Sequence, residues 1–169
     1  MYRWTYDDVF IAFTYAKNIV DGEGFVFNSG EHFLGTAAPL FVLLLVIGDL
    51  LTPSLSIPEI GGVISGFSLF AGAVVLYLLG RDLANWFVGL ALALFSIFNP
   101  LIYLSFSSET PLFLALTLAA FYTYFRGQNL IAAVLLALAV LCRSEALIPA
   151  AIIFAHMAWS HRRAIINGR

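Results

Sequence analysis

Charge is scarce in this chain. Only 11% of its 169 residues are Asp, Glu, Lys or Arg, against about 25% in soluble domains. A soluble fold of this size leaves about 30% of its chain surface facing water, and so few ionic side chains could not wet it. The basic residues form no phosphate footprint and the net charge is −2, which excludes a nucleic-acid partner. A single cysteine, Cys142, excludes an internal disulfide framework. Met1 is followed at once by Tyr2, Arg3 and Trp4, without a basic segment and apolar run, so no signal peptide is expected. Repeats and low-complexity tracts are also absent.

Apolar side chains fill the place of charge. They make up 62% of the residues, with 16 Phe, 7 Tyr and 3 Trp, and the mean hydropathy is +0.96. The expected class is all-α, a polytopic membrane helix bundle. Five runs carry no charge: 60–80, 83–108, 110–125, 127–142 and 146–161. The first reaches the roughly 20 residues needed to cross a bilayer. The second has spare length, and Asn99-Pro100 should kink or end its helix near the membrane surface. The last three correspond to about 24 Å of helix each and span only with local thinning or snorkelling arginines.

Residues 37–48 form a sixth apolar run, short, with Pro39 and leading into Asp49. Such a length suits an interfacial or re-entrant segment. If it does not cross, Arg81, Arg126, Arg162, Arg163 and Arg169 share one side with a single acid, Asp82. That is a cytoplasmic signature under the positive-inside rule. The chain then reads as one membrane module, 1–169, with an external loop carrying juxtamembrane helices at 1–59 and five transmembrane helices over 60–163. In the loop, Thr5 or Asp7 can cap a helix that runs to about Asp21 and stops at Gly22, as capping and glycine chemistry favour. Its residues Val9, Ala12, Phe13, Ala16, Ile19 and Val20 recur at helical spacing, suited to lying on the membrane surface. Gly24 to Phe27 read as a short extended piece, and Asn28-Ser29-Gly30 as a turn.

The adjacent carboxylates Asp7 and Asp8 admit two readings. One is helix capping and favourable placement in the helix dipole. The other is chemistry at the external surface: a general base with a supporting carboxylate, or ligands for a divalent metal ion. Arg143 is the candidate cation for a phosphate, against the alternative of an anchor paired with Glu109 or Glu145. Glu109 precedes Thr110-Pro111, where a helix start alone would favour an acid. Lys17 is a second cation and Glu31 a further acid after the Gly30 turn. His32, His156 and His161 show no metal-ligand spacing. Gly61, Gly62, Gly66 and Gly72 suit close helix packing.

Three stretches carry a resemblance: Tyr6-Asp7-Asp8-Val9-Phe10-Ile11 through Gly22-Glu23-Gly24-Phe25 to Glu31; Ser107-Ser108-Glu109-Thr110-Pro111; and Leu141-Cys142-Arg143-Ser144-Glu145. In order, they resemble the first external loop, the later G-L-E-T motif and the T-R-P-E motif of GT-C glycosyltransferases. The likeness is to mycobacterial terminal arabinofuranosyltransferases and, more distantly, to protein O-mannosyltransferases. Ser108 stands where the motif has Leu, and Ser144 where it has Pro. The resemblance implies a multi-pass plasma-membrane enzyme with its site outside the cytoplasm. It would move sugar from a polyprenyl-phosphate donor to a cell-envelope glycan, lipid or protein acceptor. It also implies a base at Asp7 with Asp8 in support, and a partial chain, since family members have an earlier span and several later ones. The competing class is a transporter or other non-enzymatic membrane protein. Transporters set charges or broken helices near the bilayer midplane, whereas here the acids gather at one surface.

Overall fold

The computed structural model describes residues 7–28, 35–36 and 38–166, with backbone alone at 7, 8, 103 and 160–166. The fold is all-α, with no strand among the described residues. The first helix, α1, is Asp7–Val20. It stops where Gly22 takes φ 84°. The Gly22 N–H donates to Ile19 O and the Glu23 N–H to Asn18 O, which closes the helix end in a Schellman turn. Residues 24–27 form bends rather than the expected extended piece. The reason is local: Asn18 Nδ2 donates to Val26 O and Phe27 O at 2.8 and 2.9 Å, folding the segment back on α1. Phe25 and Phe27 then pack on the buried Tyr15 ring, with centroids at 5.1 and 5.9 Å.

The second helix, α2, is Pro39–Leu51, with its proline in the first turn where no N–H is needed. It buries Phe41, Val42, Leu45 and Val46 against Val9, Ala12, Phe13 and Ala16 of α1 and Ile60 of the next helix. The apolar face of α1, suited by sequence to the membrane surface, is therefore covered by α2. Full burial of a Phe, Leu or Val contributes about 1.5–3 kcal/mol, so this cluster fixes α1 firmly.

The longest helix, α3 (Ile57–Leu83), starts from a capping arrangement. The Ser56 N–H and hydroxyl both donate to Glu59 Oε2 at 2.7 Å, so the glutamate reaches back to the chain before the helix. At 27 residues, α3 is the one described helix long and apolar enough to cross a membrane by itself. The chain reverses at Asn85, whose side chain accepts from Val88 N–H and caps α4 (Trp86–Ile97). The run 83–108 is thus no single long helix: α4 ends before Asn99-Pro100, and a short α5 (Pro100–Leu104) follows. At about 1.5 Å per residue, α4 rises only about 18 Å.

Three further helices complete the bundle: α6 (Thr110–Phe125), α7 (Asn129–Cys142) and, after a 3₁₀ turn at Ser144–Ala146, α8 (Leu147–Ile166). A second turn of the Schellman kind, with Gly127 at φ 75°, joins α6 to α7. Helices α3 and α6 run parallel. Ser65 meets Ser108 near their starts, and Asp82 meets Arg126 at 3.3 Å near their ends. One end of the bundle carries Arg81, Asp82 and Arg126. The other carries Glu109, Arg143 and Glu145.

Among the glycines read as packing positions, Gly61 and Gly72 lie against neighbouring elements, whereas a Cβ on Gly66 meets nothing within 4 Å. A close backbone approach falls elsewhere, where α3 and α4 cross: a Cβ on Gly80 would lie 2.7 Å from Gly89 Cα. A Cβ on Gly89 would meet the Tyr77 carbonyl and lie 3.0 Å from Arg81 N. Gly89→Val should therefore destabilise the protein by about 1–3 kcal/mol through overpacking. Gly66→Ala should be neutral or stabilising by up to about 1 kcal/mol, since alanine is the better helix former. Thermal unfolding in detergent measures both.

Candidate active-site pocket

The site is built on a tight loop between α5 and α6. Ser107 adopts φ 69°, in the left-handed region that glycine occupies without strain. The turn is held from both sides. Ser108 Oγ donates to Ser105 O at 2.6 Å and accepts from Thr110 N–H at 3.2 Å, which helps cap α6. Ser65 Oγ of α3 donates to Ser108 O at 3.0 Å. Gly61 gives the loop room: a Cβ there would lie 3.1 Å from both Ser107 O and the Phe13 ring. Thus α1, α3 and the loop meet at one point, and Glu109 follows directly.

Arg143 reaches the same place from α7. It caps that helix with extended backbone, φ −155° and ψ 135°, which swings its side chain off the helix axis. Nη1 donates to Glu109 Oε1 and to Thr110 Oγ1, both at 3.1 Å. Nη2 donates to Glu145 Oε1 at 2.7 Å. These bonds account for three of the five guanidinium N–H donors. Cys142 Sγ lies 3.5 Å from Glu109 O, so the end of α7 and the start of α6 are tied twice.

An open pocket of about 310 Å³ sits over this cluster. Its walls are Val9 of α1, Leu101 and Leu104 of α5, Ser105, Ser108, Glu109 and Thr110 of the loop and α6, and Arg143. Glu109 and Arg143, singled out from sequence, therefore share one cavity, with Glu145 on Arg143's other amino group. The backbone of Asp7 and Asp8 opens α1 immediately before Val9, which brings that turn to the pocket edge. Lys17 is not brought there. It is exposed in the last turn of α1, about 12 Å of rise beyond Val9, where a cation complements the helix dipole. Glu31 and His32 lie outside the described residues, as do the carboxylates of Asp7 and Asp8 and the imidazole of His161.

Sequence reasoning missed Thr110 as an Arg143 partner and the left-handed Ser107. Among the described residues, no three His, Cys, Asp or Glu side chains gather to hold a metal ion. Comparison of the chain with protein-family models, curated proteins and solved structures returns no match.

The electrostatics follow from the pairing. The bond from Arg143 holds the Glu145 carboxyl below the usual carboxylate range, helped by a backbone N–H. The same bond raises the Arg143 guanidinium. A depressed carboxylate stabilises the fold above its unfolded pKa, about 4.3, and loses that contribution as pH falls through the folded value. Glu145 is half exposed, so the contribution is under about 1 kcal/mol. The thermal stabilities of the wild type and Glu145→Gln should differ slightly at pH 7 and converge as the pH drops below about 4.

Ser107→Gly should relieve the left-handed strain and stabilise by up to about 1 kcal/mol, a rise in Tm of roughly 2–4 °C. An unchanged or lower Tm would mean that the loop is not strained at Ser107.

Proposed function

We propose that the chain is a multi-pass plasma-membrane glycosyltransferase module of the GT-C type. It transfers sugar from a polyprenyl-phosphate donor to a cell-envelope acceptor on the non-cytoplasmic side. The membrane part of this reading is supported by large apolar side chains that face outward on α3, α4 and α8. Phe67 and Phe70 of α3, Phe95 of α4 and Phe154 of α8 are each at least 66% exposed. Apolar exposure of this extent marks a membrane or partner surface. The short helices α6 and α7 fit a bilayer that thins locally, at a modest cost per Å of mismatch. The end with Arg81 and Arg126 is then cytoplasmic and the Glu109–Arg143 end external.

The observation that carries the enzymatic reading is convergence. The turn holding Asp7 and Asp8, the Glu109–Thr110 start of α6 and the Arg143 end of α7 surround one pocket. In the proposed reaction, Asp7 takes the proton from the acceptor hydroxyl as its oxygen attacks the anomeric carbon. The bond from that carbon to the lipid phosphate breaks, and the phosphate leaves as an anion that needs no acid. Arg143 offsets its charge, with Glu109 and Glu145 holding the guanidinium in place until the phosphate arrives. Asp8 supports the base or, with it, holds a divalent cation.

Asp7→Asn in the full-length protein should lower sugar transfer by about 100-fold or more, in the range for lost general-base catalysis. Thermal stability should fall by no more than about 1 kcal/mol, the worth of a first-turn carboxylate in the helix dipole. Arg143→Gln should weaken use of the lipid-phosphate donor more than of the acceptor. Near-normal transfer by both Asp7→Asn and Asp8→Asn would reduce the carboxylates to helix caps. The orientation has its own check on a Cys142→Ser background. A cysteine at Glu109 should react with an impermeant reagent outside intact cells, and one at Arg81 should not.

A further inference from the structure

A helix shorter than the hydrocarbon core is accommodated by a thinner bilayer, by flanking side chains that snorkel to the surface, or by oligomerisation. The ion pairs at the two bundle ends bear on snorkelling. Arg126 follows the last residue of α6, and its Nη1 donates to Asp82 Oδ2 at 3.3 Å. Its guanidinium carbon lies 6.0 Å from the centre of the Tyr122 ring, one turn back along α6. Arg81 donates from Nε and Nη2 to the other oxygen of Asp82, at 3.0 and 2.9 Å. At the far end Arg143 is bonded across to Glu109 and Thr110 and to Glu145. The arginines that end α3, α6 and α7 are thus tied to neighbouring groups and add nothing to the apolar length of their helices.

The uncharged band between those ends has nearly one height on three helices. Ser65 lies level with the Ser108 carbonyl, and from Ser65 to Asp82 α3 rises about 26 Å. From Glu109 to Arg126 α6 also rises about 26 Å, and from Gln128 to Arg143 α7 rises about 22 Å. Residues 65–80, 110–125 and 127–142 within these limits carry no charge. A hydrocarbon core is about 30 Å thick, and tilting the helices would lower their heights further. Phe67 of α3, Phe95 of α4, Val134 of α7 and Phe154 of α8 are exposed, so apolar surface faces outward on four helices rather than one. Exposed Trp86 opens α4 at the Arg81 end, a residue type that a membrane boundary favours. We propose that the chain seats in a locally thinned phospholipid bilayer, its core about 26 Å or less, and that Asp82 sets this thickness by holding Arg81 and Arg126 back from snorkelling. A partner polypeptide would cover one face and impose no common height on separate helices; a lipid slab imposes that height, with ions at both limits. Thinning brings the outer headgroup layer down to the level of Glu109 and Arg143. The proposal rests on the membrane-embedded part of the function proposed above and is independent of sugar transfer.

Thermal unfolding of the full-length protein in a series of phosphatidylcholine vesicles, with hydrocarbon cores from about 20 to about 35 Å, tests it. Tm should peak near about 25 Å and be lower by about 4 °C or more at about 35 Å. Asp82→Ala leaves Arg81 and Arg126 without a carboxylate and free to snorkel, so its peak should move toward thicker bilayers. The position of the peak is the readout, so a general loss of stability in this variant leaves the test intact. A wild-type peak at about 30 Å or above, or an unchanged peak in Asp82→Ala, would overturn the proposal while membrane insertion stands. A peak that moves when the protein is diluted in lipid would place a second copy against the band and overturn it as well. Extraction of the wild type from the vesicles by alkaline carbonate would overturn the membrane reading and the proposal together.

Discussion

A guanidinium at the end of an apolar helix must find water or partners, and Arg143 finds two carboxylates and a hydroxyl at once. The Glu109 side of this cluster is the less exposed: its side chain is 19% exposed against 54% for Glu145. That asymmetry assigns different work to the two acids. Glu109 joins the end of α7 to the start of α6. Glu145 steadies the guanidinium from the open side, where water weakens the pair. Because α6 and α7 share this junction, the loop that precedes α6 must also be held, which Ser65 and Ser108 accomplish.

The rest of the architecture serves that end of the bundle. The buried cluster of α2 presses α1 against α3, and Phe13 meets Gly61 beside the Ser107 carbonyl. A larger residue at Gly61 would push α1 or the loop outward and open the pocket wall at Val9. At the opposite end, Asp82 bridges Arg81 and Arg126 and links the ends of α3 and α6. Ionic contacts thus appear at both ends, and at the Arg143 end they sit beside a hydroxyl-braced loop and an open cavity. Helices this short would leave their ends close to the headgroup region of a bilayer, where the proposed donor's phosphate would lie.

Much of the helical plan was legible from charge alone. The charge-free run 110–125 coincides with α6, and the runs 60–80, 127–142 and 146–161 fall on α3, α7 and α8. Gly22 as the stop of α1 followed from its freedom to take positive φ. What was not legible was tertiary. The face of α1 is apolar whether it meets lipid or another helix, and only the packed structure reveals α2 as its partner. The bends at 24–27 depend on one amide, Asn18, reaching across to the Val26 and Phe27 carbonyls, which alternation of residue types does not encode. At the site, an Arg143 anchored by Glu109 or Glu145 was the alternative to a free phosphate-binding cation, and the structure shows both pairs. Thr110 was hidden because a hydroxyl in a first helical turn is commonplace. The place of Lys17 was equally hidden, since its distance from the pocket depends on where α1 docks.

The central claim is that the pocket over Glu109 and Arg143 receives a lipid phosphate. Its most direct measurement is thiol protection with a cysteine at Ser105, on the pocket wall, in a Cys142→Ser background. A polyprenyl-phosphate sugar should slow labelling of that cysteine in saturable fashion, and Arg143→Gln should abolish the protection. A labelling rate that the donor never changes, or protection that persists fully in Arg143→Gln, would contradict the account.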